Sequence, residues 1–216
     1  MSRILAYVFA AIVVLGGAYL LLTKSPAQNA DSITAQSIVE QTAAYTIDAK
    51  YPQVGNPAID ADIEATVRAA VEEFKTYPQN PPDSAVPQNE FIGLYDEVYT
   101  GADVVSVELI FSEYTGGAHP NAAIVGLNYN PATGAKVTLD EALSMIGLSL
   151  SQVAAKAQAQ FETDLADAYF PEGAEPTLEN YGTFVVSADA VTFIFQNYQV
   201  APYAAGPQEV SFSRVR

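Results

Sequence analysis

The chain has 216 residues, half of them hydrophobic, and sets 25 Asp and Glu against 9 Lys and Arg for a formal charge of −16. That length and apolar content suit one ordinary domain or two small interlocked ones, with a core that needs no crosslinks. The absence of cysteine excludes a disulfide framework, thiol catalysis, zinc-thiolate sites and an acylated lipoprotein Cys, and the acidic field repels nucleic acid, so no nucleic-acid partner is expected.

Residues 1–24 read as a membrane anchor or uncleaved signal. Ile4 to Leu22 is a charge-free run of 19 residues bracketed by Arg3 and Lys24, which as a helix is about 28 Å long, enough to cross the bilayer core. The run exceeds the roughly 7 to 15 apolar residues of a cleavable signal, although Ser25-Pro26-Ala27 offers small residues at a cleavage-like spacing. Arg3 and the free amino group on the short side place the N-terminus inside and everything after Lys24 outside. Beyond Ser25 seven Lys or Arg face all 25 acids, so the exported part carries −18. Such a charge keeps a protein soluble and steers basic partners toward it.

Residues 25–35 read as a tether, polar with one proline. From Ala35 to Tyr51 the chain reads as a strand, alternating apolar and polar residues from Tyr45 on. Asn56-Pro57 then places a capping residue before a proline at the first helical position, and Ile59, Ile63, Val67, Val71 and Phe74 recur at three- and four-residue steps, which predicts an amphipathic helix. Its opposite side carries Asp60, Asp62, Glu64, Arg68, Glu72 and Glu73 and is expected to be a solvated face. Pro78, Pro81, Pro82 and Pro87 make Tyr77 to Pro87 a loop.

Phe91–Tyr99, Val104–Tyr114 and Ala122–Tyr129 are rich in Val, Ile, Tyr and Phe and predict three consecutive antiparallel strands. After a turn at Pro131, Thr133 and Gly134, two capping boxes, Thr138-x-x-Glu141 and Ser149-x-x-Gln152, announce helices. The second carries Leu150, Val153, Ala157, Phe161 and Leu165 on one face and is expected to stop at Pro171 and Gly173. A hairpin follows, Phe184–Ser187 and Val191–Phe195 about Ala188-Asp189, then a loop and a last strand, Glu209–Val215. The fold class expected is α+β: a mostly antiparallel sheet with two or three packed helices, preceded by one transmembrane helix.

Two strings depart from generic patterning: Tyr114-Thr115-Gly116-Gly117-Ala118-His119-Pro120-Asn121, and Tyr198-Gln199-Val200-Ala201-Pro202-Tyr203-Ala204-Ala205-Gly206-Pro207. With Tyr51-Pro52-Gln53 before the first helix and Thr133-Gly134 with Thr138-Leu139-Asp140-Glu141 after the first string, they resemble the paired extracytoplasmic domains of the RsiV (anti-sigma factor) and PdaC (peptidoglycan deacetylase) type. The resemblance implies a PdaC-type N-terminal domain over residues 36–130 and an RsiV-type C-terminal domain over residues 131–216. It also implies a lysozyme-binding or wall-facing role at the bacterial cytoplasmic membrane. The cytoplasmic sigma-binding segment of the one, and the metal-binding Asp and His motifs of the other's deacetylase domain, have no counterpart in this sequence.

In terms of the residues alone, adjacent glycines in the first string let the chain turn sharply, and the prolines of the second restrict a loop that presents two tyrosines. The candidate ligand-binding residues are Tyr114, Thr115, Gly116, Gly117, His119, Tyr198 and Tyr203. A lone histidine before a proline serves most often as a satisfied loop residue, so no catalytic residue, metal or cofactor is expected. The function expected is that of a single-pass, non-catalytic binding or sensory module of the cell envelope, taking a peptidoglycan fragment or a basic, lysozyme-like protein. Two alternatives stand beside it: an accessory scaffold subunit of a membrane complex, and a glycan hydrolase using a carboxylate pair among Asp96, Glu97, Glu108 and Glu113.

Overall fold

The computed structural model describes residues 33–80 and 83–215. The anticipated membrane span at residues 4–22 lies outside them, and among the described residues no helix is long and apolar enough to cross a membrane. The described chain is α+β with three α-helices and two sheets. One five-stranded sheet has the order β1 (Thr34–Gln41), β2 (Tyr45–Gln53), β3 (Asn89–Thr100), β4 (Val105–Tyr114), β5 (Asn121–Tyr129); the other holds β6 (Phe184–Val186), β7 (Ala190–Phe195) and β8 (Gln208–Ser213). The helices are α1 (Pro57–Lys75), α2 (Leu139–Ile146) and α3 (Leu150–Leu165).

The stretch expected to be one strand from Ala35 to Tyr51 is two antiparallel strands, with Thr34 opposite Gln53 and Gln41 opposite Thr46. Thr42 makes the reversal. Its hydroxyl accepts from the amides of Ala44 and Tyr45 at 3.1 and 3.0 Å, while its own N–H donates to the Tyr45 carbonyl, a side-chain turn that competes with strand continuation. The β2–β3 pair is parallel, because α1 carries the chain back to the start of the sheet, as a crossover helix must. All other neighbours are antiparallel.

α1 forms as its punctuation dictates. Asn56 accepts from the amides of Ala58 and Ile59, satisfying orphan donors of the first turn, and Ile59, Ile63, Val67, Val71 and Phe74 are all buried. They face Ile47, Ala49, Tyr51, Phe91, Val107, Leu109 and Phe111 in one apolar core, where each fully buried aliphatic or aromatic side chain contributes roughly 2 kcal/mol. The acidic side of α1 is more than a solvated face. The Asp60 carboxylate accepts from the Val54 amide at 2.7 Å, and Asp62 takes the Tyr129 hydroxyl at 2.7 Å and the Lys136 ammonium at 2.9 Å.

Both capping boxes form, at Thr138 with Glu141 and at Ser149 with Gln152. α3 ends at Leu165, earlier than the expected stop at Pro171, because Ala166 takes a positive φ of 47°, a conformation that cannot continue a right-handed helix. A second core joins α2 and α3 to the three-stranded sheet. It is aromatic in character: Phe161 meets Phe195 edge-on at 4.9 Å, and Tyr181 meets Phe195 at 5.2 Å.

The expected α+β class with mostly antiparallel strands and packed helices is the one observed, with the strands divided between two sheets. The β6–β8 sheet lies against the face of β4 and β5 turned away from α1, since Val105, Val107 and Leu109 point to α1 while Ser106 between them meets β6. The Ser106 hydroxyl accepts from the Val186 amide at 2.9 Å and donates to the Asn128 side-chain oxygen Oδ1 at 2.7 Å, and Asn128 Nδ2 in turn donates to the Phe184 backbone carbonyl at 2.7 Å. Buried polar groups so arranged are mutually satisfied. A glycine makes the approach possible, because a Cβ on Gly126 would overlap the Phe184 carbonyl oxygen.

Candidate binding site at the junction of two loops

The β4–β5 hairpin turns through the first signature string, and the second string connects β7 to β8. They are brought together by Gln196. Its side-chain amide accepts from the Ile124 N–H at 2.9 Å and donates to the Ile124 carbonyl at 2.8 Å, so one side chain occupies the place of a neighbouring strand on the edge of β5. Asn197 adds a bond to the Ala122 carbonyl at 3.4 Å. Gln199 anchors the other side, accepting from the Gln196 amide and donating to the carbonyls of Gly173 and Asn180.

With the loops thus registered, three rings lie in series, one pair stacked and the other tilted. The His119 and Tyr203 rings lie 3.8 Å apart and within 20° of parallel, and Tyr198 lies 5.5 Å from Tyr203 at 38°. The Tyr203 hydroxyl donates to the Pro120 carbonyl at 2.9 Å, which ties the second loop to the first. The same carbonyl lies 2.8 Å from His119 Nδ1, and since a carbonyl can only accept, the imidazole proton sits on Nδ1. His119 is exposed, Tyr203 is half-buried, and Tyr198 is 56% exposed. Tyr198 also has a positive φ of 67°, a left-handed backbone that costs an L-residue roughly 1 to 2 kcal/mol. A large exposed ring held in that conformation by its surroundings is backbone strain concentrated at the outer end of the ladder.

The remaining candidates fall elsewhere. Tyr114 is the half-buried last residue of β4, opposite Glu90. Gly116 has φ 104° and lies against Asn80 and Val86 of the proline-rich loop; there the glycine serves the fold. Gly117 is exposed and lacks a positive φ. Thr115 lines a separate concavity of about 330 Å³ with Tyr77, Pro78, Glu113 and Asn121. Burial pushes the Glu113 carboxyl above its ordinary value, with Glu73 adding to the shift, and Glu113 in turn raises Tyr77.

Of the four carboxylates considered for hydrolysis, Glu113 stands apart from the other three. Asp96 and Glu97 form a bulge opposite Glu108, between the Tyr95–Leu109 and Val98–Val107 pairs, and Glu108 is buried. Glu113 lies five residues further along β4, about 17 Å away at strand rise, beyond the roughly 5 to 9.5 Å at which glycosidase carboxylates cooperate. Among the described residues no group of three or more His, Asp or Glu is placed to hold a metal ion.

Sequence reasoning missed Gln196, Asn128, Ser106 and Gly126, the residues that bring the two loops together. Only Gly126 carried a local signal, a glycine inside an otherwise regular strand, which commonly marks close backbone approach.

Two family models match separate stretches of the chain. Residues 38–122 match the family described as deacetylase PdaC, and residues 143–214 match DUF3298, a family of unknown function. Over 188 residues the chain is 22% identical to the peptidoglycan-N-acetylmuramic acid deacetylase PdaC of Bacillus subtilis; the match takes in 85% of this chain and 40% of that protein's length. Two solved DUF3298-family structures share the fold. The Bacteroides fragilis protein superimposes with a TM-score of 0.55 at 19% identity, covering 86% of this chain and 92% of its own, and the Pseudomonas aeruginosa protein with 0.57 at 19%, covering 85% and 91%. The two matched stretches follow one another along the chain, the PdaC match first and the DUF3298 match second.

Proposed function

We propose that this chain is a non-catalytic binding module of the bacterial cell envelope, anchored through residues 4–22, whose His119–Tyr203–Tyr198 ladder is the recognition surface. The observation that carries the reading is the meeting of the two signature loops in one exposed stack that ends on a strained tyrosine. Aromatic faces of this kind take flat apolar surfaces or cationic side chains, the chemistry of a sugar ring's C–H face or of a basic protein. The kinship with a peptidoglycan deacetylase supports a wall glycan as one ligand. The strong negative charge of the exported part supports a basic wall-active protein such as a lysozyme as the other.

The test is a titration of the full chain in detergent with a basic lysozyme and with soluble peptidoglycan fragments, at low and moderate salt, beside an unrelated protein of similar positive charge. Saturable binding selective for lysozyme or fragments, weakened by Tyr198→Ala and Tyr203→Ala without loss of folding, is the expected result. Equal binding to both basic proteins that disappears with salt, together with no fragment binding, would reduce the charge to a solubility device and refute the recognition role.

A further inference from the structure

The two edges of the five-stranded sheet are finished differently. On β5 the Gln196 and Asn197 side chains pair with the backbone of Ile124 and Ala122, and the β6–β8 sheet closes in behind them. β1, at the other end of the sheet, has β2 on one side and no strand on the other among the described residues. It is eight residues long and regular, Thr34-Ala35-Gln36-Ser37-Ile38-Val39-Glu40-Gln41, without proline, glycine, bulge or basic residue. Those are the devices that proteins use to blunt an edge, and their absence leaves a template for another strand.

Val39 projects from this edge at 68% exposure. It lines a concavity of about 290 Å³ with Ile92 as a further apolar wall and with Glu40, Asp48 and Glu90 among its lining, which includes no basic residue. Glu40 on the opposite face of the same strand already holds Lys75 at 2.7 Å and the Tyr45 hydroxyl at 3.2 Å; Asp48 has Lys50 at 3.6 Å.

From this geometry we infer that the free edge of β1 accepts an extended peptide segment that alternates apolar and basic residues, adding a sixth strand to the sheet. Backbone pairing supplies the attachment. Side chains on an incoming strand alternate between faces, so an apolar residue lies beside Val39 while its basic neighbours lie beside the cluster in which Glu40 and Glu72 share Lys75 and keep a net negative charge, and cross-strand pairs of both kinds are favourable. Charge selects this occupant over a second copy of the chain, whose β1 would bring Glu40 and a strongly negative exported part against the same. The site is at the opposite edge of the sheet from the ring ladder and does not depend on the function proposed for it.

The probe is a blocked octapeptide of alternating Lys and Val, titrated into the full chain in detergent, beside a Glu-Val octapeptide of the same pattern and a Lys-Gly octapeptide of the same charge. Saturable binding of the Lys-Val peptide alone is expected, with slowed amide exchange confined to Thr34–Gln41. Val39→Lys, at an exposed position, should weaken it about tenfold or more by placing a charge on the edge, and Tyr198→Ala should leave it unchanged. Equal binding of the Lys-Gly or Glu-Val peptide would overturn the inference, as would exchange protection mapped away from β1. Self-association of the free chain through β1 would overturn it in favour of a second copy.

Discussion

The β5 and β1 edges of one sheet present the same problem, a row of backbone donors and acceptors with no next strand, and the molecule meets it in two ways. At β5 the solution is tertiary: a glutamine imitates a strand residue, a glycine lets β6 approach, and Ser106 and Asn128 satisfy the polar groups that become buried. At β1 no strand pairs with the outer edge among the described residues. The difference teaches that the second half of the chain covers the first half's sheet, and that the ring ladder is assembled where that cover is registered against the β4–β5 hairpin.

The largest effect is expected where the sealed edge has no slack. Gly126→Ala drives a methyl into the Phe184 carbonyl and should cost about 3 kcal/mol by overpacking, read as a lowered urea midpoint. Loss of the His119–Tyr203 stack should accompany it, since both loops depend on this junction. Gln196→Leu keeps the volume and removes both bonds to Ile124; about 2 kcal/mol should be lost, because a part-buried N–H and C=O are left without partners. Should Gln196→Leu cost nothing, the imitation of a strand is incidental and the two edges are not different in kind.

Tyr198→Gly sharpens the same comparison from the ligand side. Relief of the left-handed backbone should raise stability by about 1 kcal/mol in thermal unfolding, while binding of lysozyme or fragments falls. A gain in stability with binding intact would separate strain from recognition.

A smaller change tests the brace that Asp62 makes from α1 to β5 and the following strap. Burial pushes its carboxyl up, but the hydrogen bonds from Lys136 and Tyr129 outweigh this and hold it below its ordinary value of 3.8. A depressed folded value means stability that is present above the unfolded pKa and lost as pH falls through the folded one. The urea midpoint should therefore drop less between about pH 5 and 2.5 in Asp62→Asn than in the unmodified chain. Smallest of all, Val39→Lys should move stability by no more than about 0.5 kcal/mol, as exposed substitutions do, and should add independently to Gly126→Ala across the width of the sheet.

Legibility in the sequence followed the range of the forces. The start of α1, its five buried positions and both capping boxes were readable because an Asn-Pro pair, a 3.6-residue period and a Ser/Thr-x-x-Glu/Gln string act within one or two turns of helix. The β3–β5 meander and the β6–β7 hairpin were readable for the same reason, their turns being short. The break at Thr42 was local too, yet its threonine looked like any polar residue of an alternating strand until its hydroxyl was seen to take two amides.

Composition, anchor-like run and signature strings thus came from the sequence by itself, as did the helices and the strands after α1, since each depends on neighbours along the chain. The parallel β2–β3 pairing, the second sheet behind the first and the ring ladder were decided by tertiary structure. They join residues as far apart as Tyr203 and Pro120 or Val186 and Ser106, and such pairs form only when a closed polar network and a missing side chain at Gly126 make room for them. No local pattern encodes that coincidence, because its stability resides in partners that meet only after both halves have folded.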